Sequence, residues 1–184
     1  CLMEANLGKM ARTSYNFCRM CQFSVVMPSH GKYIGAATTP MGHWRRKEGT
    51  AVGDNWIVDG ATKNRFLRHI VFDTNHWKTF LAARLTTSIG DPGCLSFFGS
   101  TPGEHHLIAE HCVSETAETV IHKDSGRKVQ EWRLKTEKPD NDWWDCLVGC
   151  MVACSHVGVI LQTIKKVEAP RTPVKRVTRE AMYL

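Results

Sequence analysis

His69-Ile70-Val71-Phe72-Asp73 runs without a break into Thr74-Asn75-His76-Trp77-Lys78-Thr79-Phe80-Leu81-Ala82-Ala83-Arg84-Leu85. The first five residues are mostly apolar and close on an acid, the pattern of a buried strand. Thr74 or Asn75 then offers a helix cap, and helical spacing continues to about Thr87. A strand feeding directly into a helix belongs to an α/β or α+β domain rather than to an all-helical or all-β one.

The same mixture extends outward from this unit. Residues 1–5 (CLMEA) read as the end of a buried strand, and Gly8 to Gln22 as a helix with Met10, Tyr15, Phe17 and Cys18 in its apolar set. Ser24 to Pro28 is a short β-branched strand closed by proline. From Ser29 to Gly60 glycine, threonine, proline and charge dominate, and a loop of that length is usually functional. Downstream, Gly90-Asp91-Pro92-Gly93 is a turn, Cys94 to Phe98 a strand, and Glu104 to Val113 a helix. Thr116 to Ile121 and Lys128 to Leu134 form a hairpin around Asp124-Ser125-Gly126. Pro139 opens a last helix from about Asp142 to Leu161.

A chain of 184 residues, 42% hydrophobic and 23% charged, is globular in composition and builds one core. The longest apolar candidate, Leu147 to Leu161, contains His156 and is shorter than the ~20 residues of a membrane span. No secretion signal precedes it, and the start at Cys1 rather than Met reads as a segment of a longer chain. The eight cysteines therefore read as reduced thiols that fill the core, above all Cys146, Cys150 and Cys154, spaced by four. Net charge is +6, and residues 165–184 hold six Lys or Arg against Glu168 and Glu180. Two regions result: a compact body over 1–162 and a basic tail over 163–184, suited to a polyanionic partner or simply to solvent.

Chemistry is concentrated at Asp140-Asn141-Asp142-Trp143-Trp144-Asp145-Cys146. Asp142, Asp145 and Gly149 share one helix face, with the two acids beside the N-terminus and room left by the glycine. Two ionised carboxylates placed so can hold a hard cation such as Mg²⁺, although first-turn acids also stabilise helices with no ligand at all. Glu4 and Asp73, each closing an apolar strand, are the candidate partners. The bland alternatives are a solvated acid for Glu4 and a cap of the following helix for Asp73. Strand-end acids around a helix-borne acid suit a two-metal nuclease, whose ions lie ~3.5–4 Å apart, one activating water and one stabilising the leaving oxygen.

Taken in order, CLMEANLGK, MPSHGKYIGAATTP, VFDTNHWKTFLAARL, GDPG, GRKVQEWRLK and DNDWWDCLVGCMVA resemble the nuclease domain of the lambda-type phage terminase large subunit over nearly all of residues 1–162. The resemblance implies a ribonuclease-H-like (RuvC-like) fold, a mixed sheet flanked by helices, here incomplete at its N-terminus. It also implies a metal-dependent endonuclease that cuts concatemeric viral DNA, using Mg²⁺ or Mn²⁺, two ions in the complete domain. Glu4 matches the family's second acid, more often Asp, and Asp145 the third; Asp142 falls where the pattern usually has His. The strand with the first acid is expected upstream of Cys1. No phosphate-binding loop occurs, so ATP enters only through an upstream domain. The segment holds two of three acids and is open to being inactive alone.

Lys78, Arg45, Arg46 and Lys47 are candidate contacts to DNA phosphates, against a reading as plain surface charge. The implied partners are double-stranded DNA, the terminase small subunit and the portal ring, in the host cytoplasm with no membrane. Two other readings compete: an inactive prophage-derived module for DNA binding or motor assembly, and a resolvase-type nuclease acting on branched DNA. The remaining motifs favour structure. Cys18-Arg19-Met20-Cys21 lacks the second pair that a closed zinc site needs. His105, His106 and His111 do not form HExxH, and Trp77 and Trp132 read as packing anchors.

Overall fold

The computed structural model of the protein describes residues 1–6, 8–22, 26–59, 67–99, 101–137 and 140–159. A five-stranded sheet is built from β1 (Leu2–Glu4), β2 (Met27–Lys32), β3 (Ala51–Gly53), β4 (Trp56–Asp59) and β5 (His69–Asp73), in the order β1-β2-β5-β4-β3. β1, β2 and β5 are parallel, while β3 and β4 run antiparallel to their neighbours. The sheet is therefore mixed. Its central strand is β5, and Ile70 and Phe72 are buried there, as an apolar strand covered on its faces requires.

Helices α1 (Ala11–Met20), α2 (Thr74–Leu85), α3 (His106–Cys112) and α4 (Asp142–His156) flank this sheet. Trp144, Val148 and Val152 repeat at four-residue intervals along α4 and are all buried. They meet Trp77 and Leu81 of α2 and Trp56, Val58, Ile70 and Phe72 of the sheet in one core. Leu147 and Met151 pack at its margin. The two tryptophans of the 143–144 pair thus part company: Trp144 anchors the core, and Trp143 is 45% exposed and stacks on His111.

A separate hairpin, β6 (Glu115–Ile121) with β7 (Lys128–Leu134), lies against α2. Trp132 fixes it there, its backbone N–H donating to Asn75 Oδ1 (2.9 Å) and its ring Nε1 to Thr79 Oγ1 (2.9 Å). Trp77 and Trp132 are packing residues, as their sequence context suggests.

Four expectations change. Cys94 to Phe98 forms no strand; the turn before it delivers Leu95 to the end of α2, where its N–H bonds the Arg84 carbonyl and its side chain joins the core margin. The long segment 29–60 is not one loop, because it contributes most of β2 and the β3–β4 hairpin, turned at Asp54-Asn55 with Asn55 at φ +50°. The seven cysteines from Cys18 to Cys154 are free thiols, but Cys146 and Cys150 are exposed rather than core-filling, because the buried stripe of α4 is already taken by Trp144, Val148 and Val152. Helix α4 closes at His156 with Gly158 at φ +84°, a left-handed cap position that suits glycine. The basic tail, Ser24, Val25 and Pro139 lie outside the described residues. Among those described, no helix is long and apolar enough to cross a membrane.

Candidate active site

Helix α2 begins where β5 ends, with the Asp73 carboxylate accepting the His76 N–H (3.2 Å) as N-cap. Trp77 then faces the core, and Lys78, one residue round the helix, turns toward the start of α4. It is 8% exposed. Its ammonium lies 2.5 Å from Glu115 Oε1, at the first residue of β6, and 2.9 Å from Asp145 Oδ1, in the first turn of α4. Asn141, the residue preceding α4, completes the knot: its amide donates to Glu115 Oε1 (2.6 Å) and to Asp145 Oδ2 (3.1 Å). Both oxygens of Asp145 are thus held by N–H donors brought from two elements. Glu115 is used on one side only, since its buried Oε2 has no hydrogen-bond partner among the described residues.

Glu4, at the end of β1, stands on the same side of the molecule. The backbone N–H of Asn6 donates to its Oε1 (2.6 Å). Partial desolvation raises its pKa above the ordinary glutamate value; N–H bonds from Asn6 and Ala5 oppose that, and the negative charge of Asp145 adds to it. The thiol of Cys146 records the same neighbourhood. Burial raises its pKa most, and Cys150, Asp142, Asp145 and Glu4 push it further in that direction. Glu4, Asp142 and Asp145 therefore bring their fields to one place, although Asp142 itself is exposed to solvent.

Behind Glu4 lies a hydrogen-bonded chain. Asn6 Nδ2 donates to the Gly31 carbonyl (2.8 Å), so its Oδ1 is left to accept from His30 Nδ1 (2.8 Å). His30 Nε2 in turn shares a hydrogen bond with the Tyr15 hydroxyl (2.7 Å). This chain fixes the turn that presents Glu4.

Asp73 does not join these acids. Glu4 is in register with Ser29, and Ser29 with Ile70, so Asp73 lies three residues farther along and two strands over. Strand geometry makes that roughly 14 Å between Cα atoms. Its carboxyl is instead a helix cap beside a cleft of about 410 Å³ whose lining mixes polar side chains such as Asn55, His76 and Arg127 with Phe80 and Val129. Burial raises the Asp73 pKa, and the His76 N–H works against that. Lys78 does not face solvent as a DNA contact would; its charge is committed to Glu115 and Asp145. Arg45, Arg46 and Lys47, just past the 3₁₀ turn Met41–His43, are exposed.

Glu115, Asn141, Asn6, His30 and Tyr15 are site residues that the sequence does not announce. Only Asn141 carries a signal, as the residue before an acidic helix start. The rest depend on contacts between distant segments.

Oxygen donors of Glu4 and Asp145 suit a hard divalent ion, which commonly takes one or two carboxylates and completes its shell with water and substrate phosphate. Among the described residues no three His, Cys, Asp or Glu side chains converge closely enough to hold an ion by themselves. The fit is thus to a cation shared with a phosphate-bearing substrate, not to a closed protein cage.

A family model described as "Terminase large subunit gpA, endonuclease domain" matches residues 6–165. No curated protein and no solved structure gives a match.

Proposed function

Because this chain belongs to the terminase large subunit gpA endonuclease domain family, which carries a DNA-packaging nuclease role, we propose that it is the metal-dependent endonuclease that cuts concatemeric viral DNA. The observation that carries this reading is the packing of α4 against β1, which sets Asp145 and Glu4 in one neighbourhood, the Asp145 charge adding to the desolvation that chiefly raises the Glu4 pKa. Like charges placed together are unfavourable unless a cation offsets them.

Glu4 and Asp145 are the proposed ligands. Asn6 holds Oε1 of Glu4, and Asn141 sets the orientation of Asp145. When bound, Mg²⁺ or Mn²⁺, as a pair of ions in the complete two-metal arrangement, supplies Lewis-acid activation of water and neutralises charge on the scissile phosphate. Asp142, exposed beside Asp145, adds negative field to the site. Arg45, Arg46 and Lys47 contact backbone phosphates of double-stranded DNA and set its position rather than its sequence.

The mixed sheet and its helices support a ribonuclease-H-like architecture. The small subunit, the portal ring and an ATP-consuming motor domain are the proposed partners in the host cytoplasm, with residues 163–184 as a basic extension toward one of them.

Incubating linear double-stranded DNA and Mn²⁺ or Mg²⁺ with the protein extended upstream to carry the first acid tests this. Asp145→Asn and Glu4→Gln are expected to abolish cleavage while DNA retention in a gel-shift assay persists. Undiminished cutting by Asp145→Asn overturns the assignment. A second reading, a non-catalytic DNA-binding module, draws on the convergence of two rather than three carboxylates. Mn²⁺ titration calorimetry separates them, since that module binds DNA and no ion.

A further inference from the structure

Resting on the nuclease reading, we propose that Lys78 is a built-in competitor for the cation: its ammonium occupies the positive-charge position at Asp145, and Glu115 is the seat to which it withdraws when a divalent ion arrives.

Three features of the geometry carry this. First, a nearly buried ammonium 2.9 Å from Asp145 Oδ1 satisfies in charge what an ion would satisfy, and it repels a dication approaching the same oxygen. Second, Lys78 is held still more closely by Glu115, at 2.5 Å, so leaving Asp145 does not leave the lysine unpaired. Third, Glu115 has spare capacity. Its Oε1 accepts from both Lys78 and Asn141, while its buried Oε2 accepts from nothing among the described residues. Buried carboxylate oxygens are normally satisfied, and Oε2 is free to take a donor. Release from Asp145 lets the ammonium engage Oε2 and resolves the imbalance. Asn141 remains on Asp145 Oδ2 and keeps the side chain in place.

A lysine that merely oriented Asp145 would make the opposite prediction, because removing it would loosen the ligand. The sign of the effect therefore decides. Mn²⁺ affinity is measured by titration calorimetry on the wild type, Lys78→Met, Glu115→Gln and the double variant, with circular dichroism as the check of folding.

Lys78→Met is expected to bind Mn²⁺ about tenfold tighter than wild type, and Glu115→Gln about tenfold weaker, the lower end of what outer-shell partners usually contribute. Lys78→Met leaves Glu115 buried without its cation and is the variant at risk of misfolding. The double variant removes both charges. Its comparison with Glu115→Gln isolates loss of the ammonium, and tighter binding by the double variant is again the expected result.

If the wild type binds Mn²⁺ and Lys78→Met binds no tighter, or the double variant binds no tighter than Glu115→Gln, the competitor role is overturned and the nuclease reading stands. If neither the wild type nor Lys78→Met nor the double variant binds Mn²⁺, the metal-dependent reading itself fails and takes this inference with it.

Discussion

Two glutamates are buried to the same degree on one hairpin, Glu115 at the start of β6 and Glu131 in the middle of β7, each 7% exposed. Glu131 is closed. Its Oε1 accepts the Ala36 N–H (2.8 Å), and its Oε2 accepts from the Tyr33 hydroxyl (2.5 Å) and, longer, from Arg133 (3.4 Å). Glu115 is open: two donors crowd one oxygen and the other has none among the described residues. Glu131's partners are mostly neutral and local to one loop, so it ties residues 33–36 to the hairpin. Glu115's partners are a lysine and an amide that also hold Asp145. Burial alone therefore does not distinguish a structural acid from a site acid. The distribution of donors over the two oxygens does.

The widest separation between the two should come from stability. Glu131→Gln exchanges charge-assisted bonds for neutral ones and leaves an amide nitrogen facing Ala36 or Tyr33. A loss of about 2–3 kcal/mol follows, because hydrogen bonds to charged groups are worth ~1.5–3 kcal/mol each. Glu115→Gln is expected to lose only about 1 kcal/mol, since Lys78 keeps Asp145 and no second oxygen gives up a bond. Urea denaturation of the two variants at pH 7 makes the comparison, and equal losses would erase the distinction.

Acid sharpens it further. The Tyr33 hydroxyl bond, then the Ala36 N–H, holds the Glu131 pKa below its ordinary 4.5. A depressed folded pKa means that the unfolded chain takes up the proton first. The stabilisation is complete above the unfolded value and is lost as pH falls through the folded one. The gap between wild type and Glu131→Gln should thus hold from pH 7 to about 5 and narrow as pH falls below the ordinary glutamate value. A gap that stays constant to pH 3 would show that Glu131 acts through packing rather than through charge.

How much of this was legible in the sequence divides along similar lines. HIVFD-TNHWK announces β5 and α2 because an apolar strand and a capped helix are local patterns; the cap is Asp73, the alternative its sequence context offers, rather than Thr74 or Asn75. Helix α4 is legible for the same reason. The β3–β4 hairpin is hidden because its strands are three and four residues long and its turn is Asp54-Asn55, without the glycine that usually marks such turns. Strand β2 runs on through His30-Gly31-Lys32 because pairing with β1 and β5 satisfies its backbone whatever the side chains are. Gly31 is needed there for another reason: a Cβ would lie 2.7 Å from the Thr74 methyl.

At the site, Glu4 and Asp145 are visible as acids at element ends. Glu115 is not, because its importance comes from a lysine 37 residues away, and no local spacing encodes that pair.

The smallest effect tests the acid that the geometry sets apart. Asp73 resembles Glu4 in sequence, an acid closing an apolar strand, and differs from it in what its carboxylate does. It caps α2 through the His76 N–H, and two strands and three residues of register separate it from Glu4. Removing a side-chain cap usually costs ~1 kcal/mol. Desolvation of this carboxyl, which raises its pKa, already offsets part of what the cap contributes. Asp73→Ala should therefore lower stability by about 1 kcal/mol or slightly less and leave Mn²⁺ affinity unchanged. Chemical denaturation and the same Mn²⁺ titration read the two quantities on one sample. A loss of Mn²⁺ binding with stability intact would move Asp73 from the structural acids to the ligands and would require acids two strands apart to act on one ion.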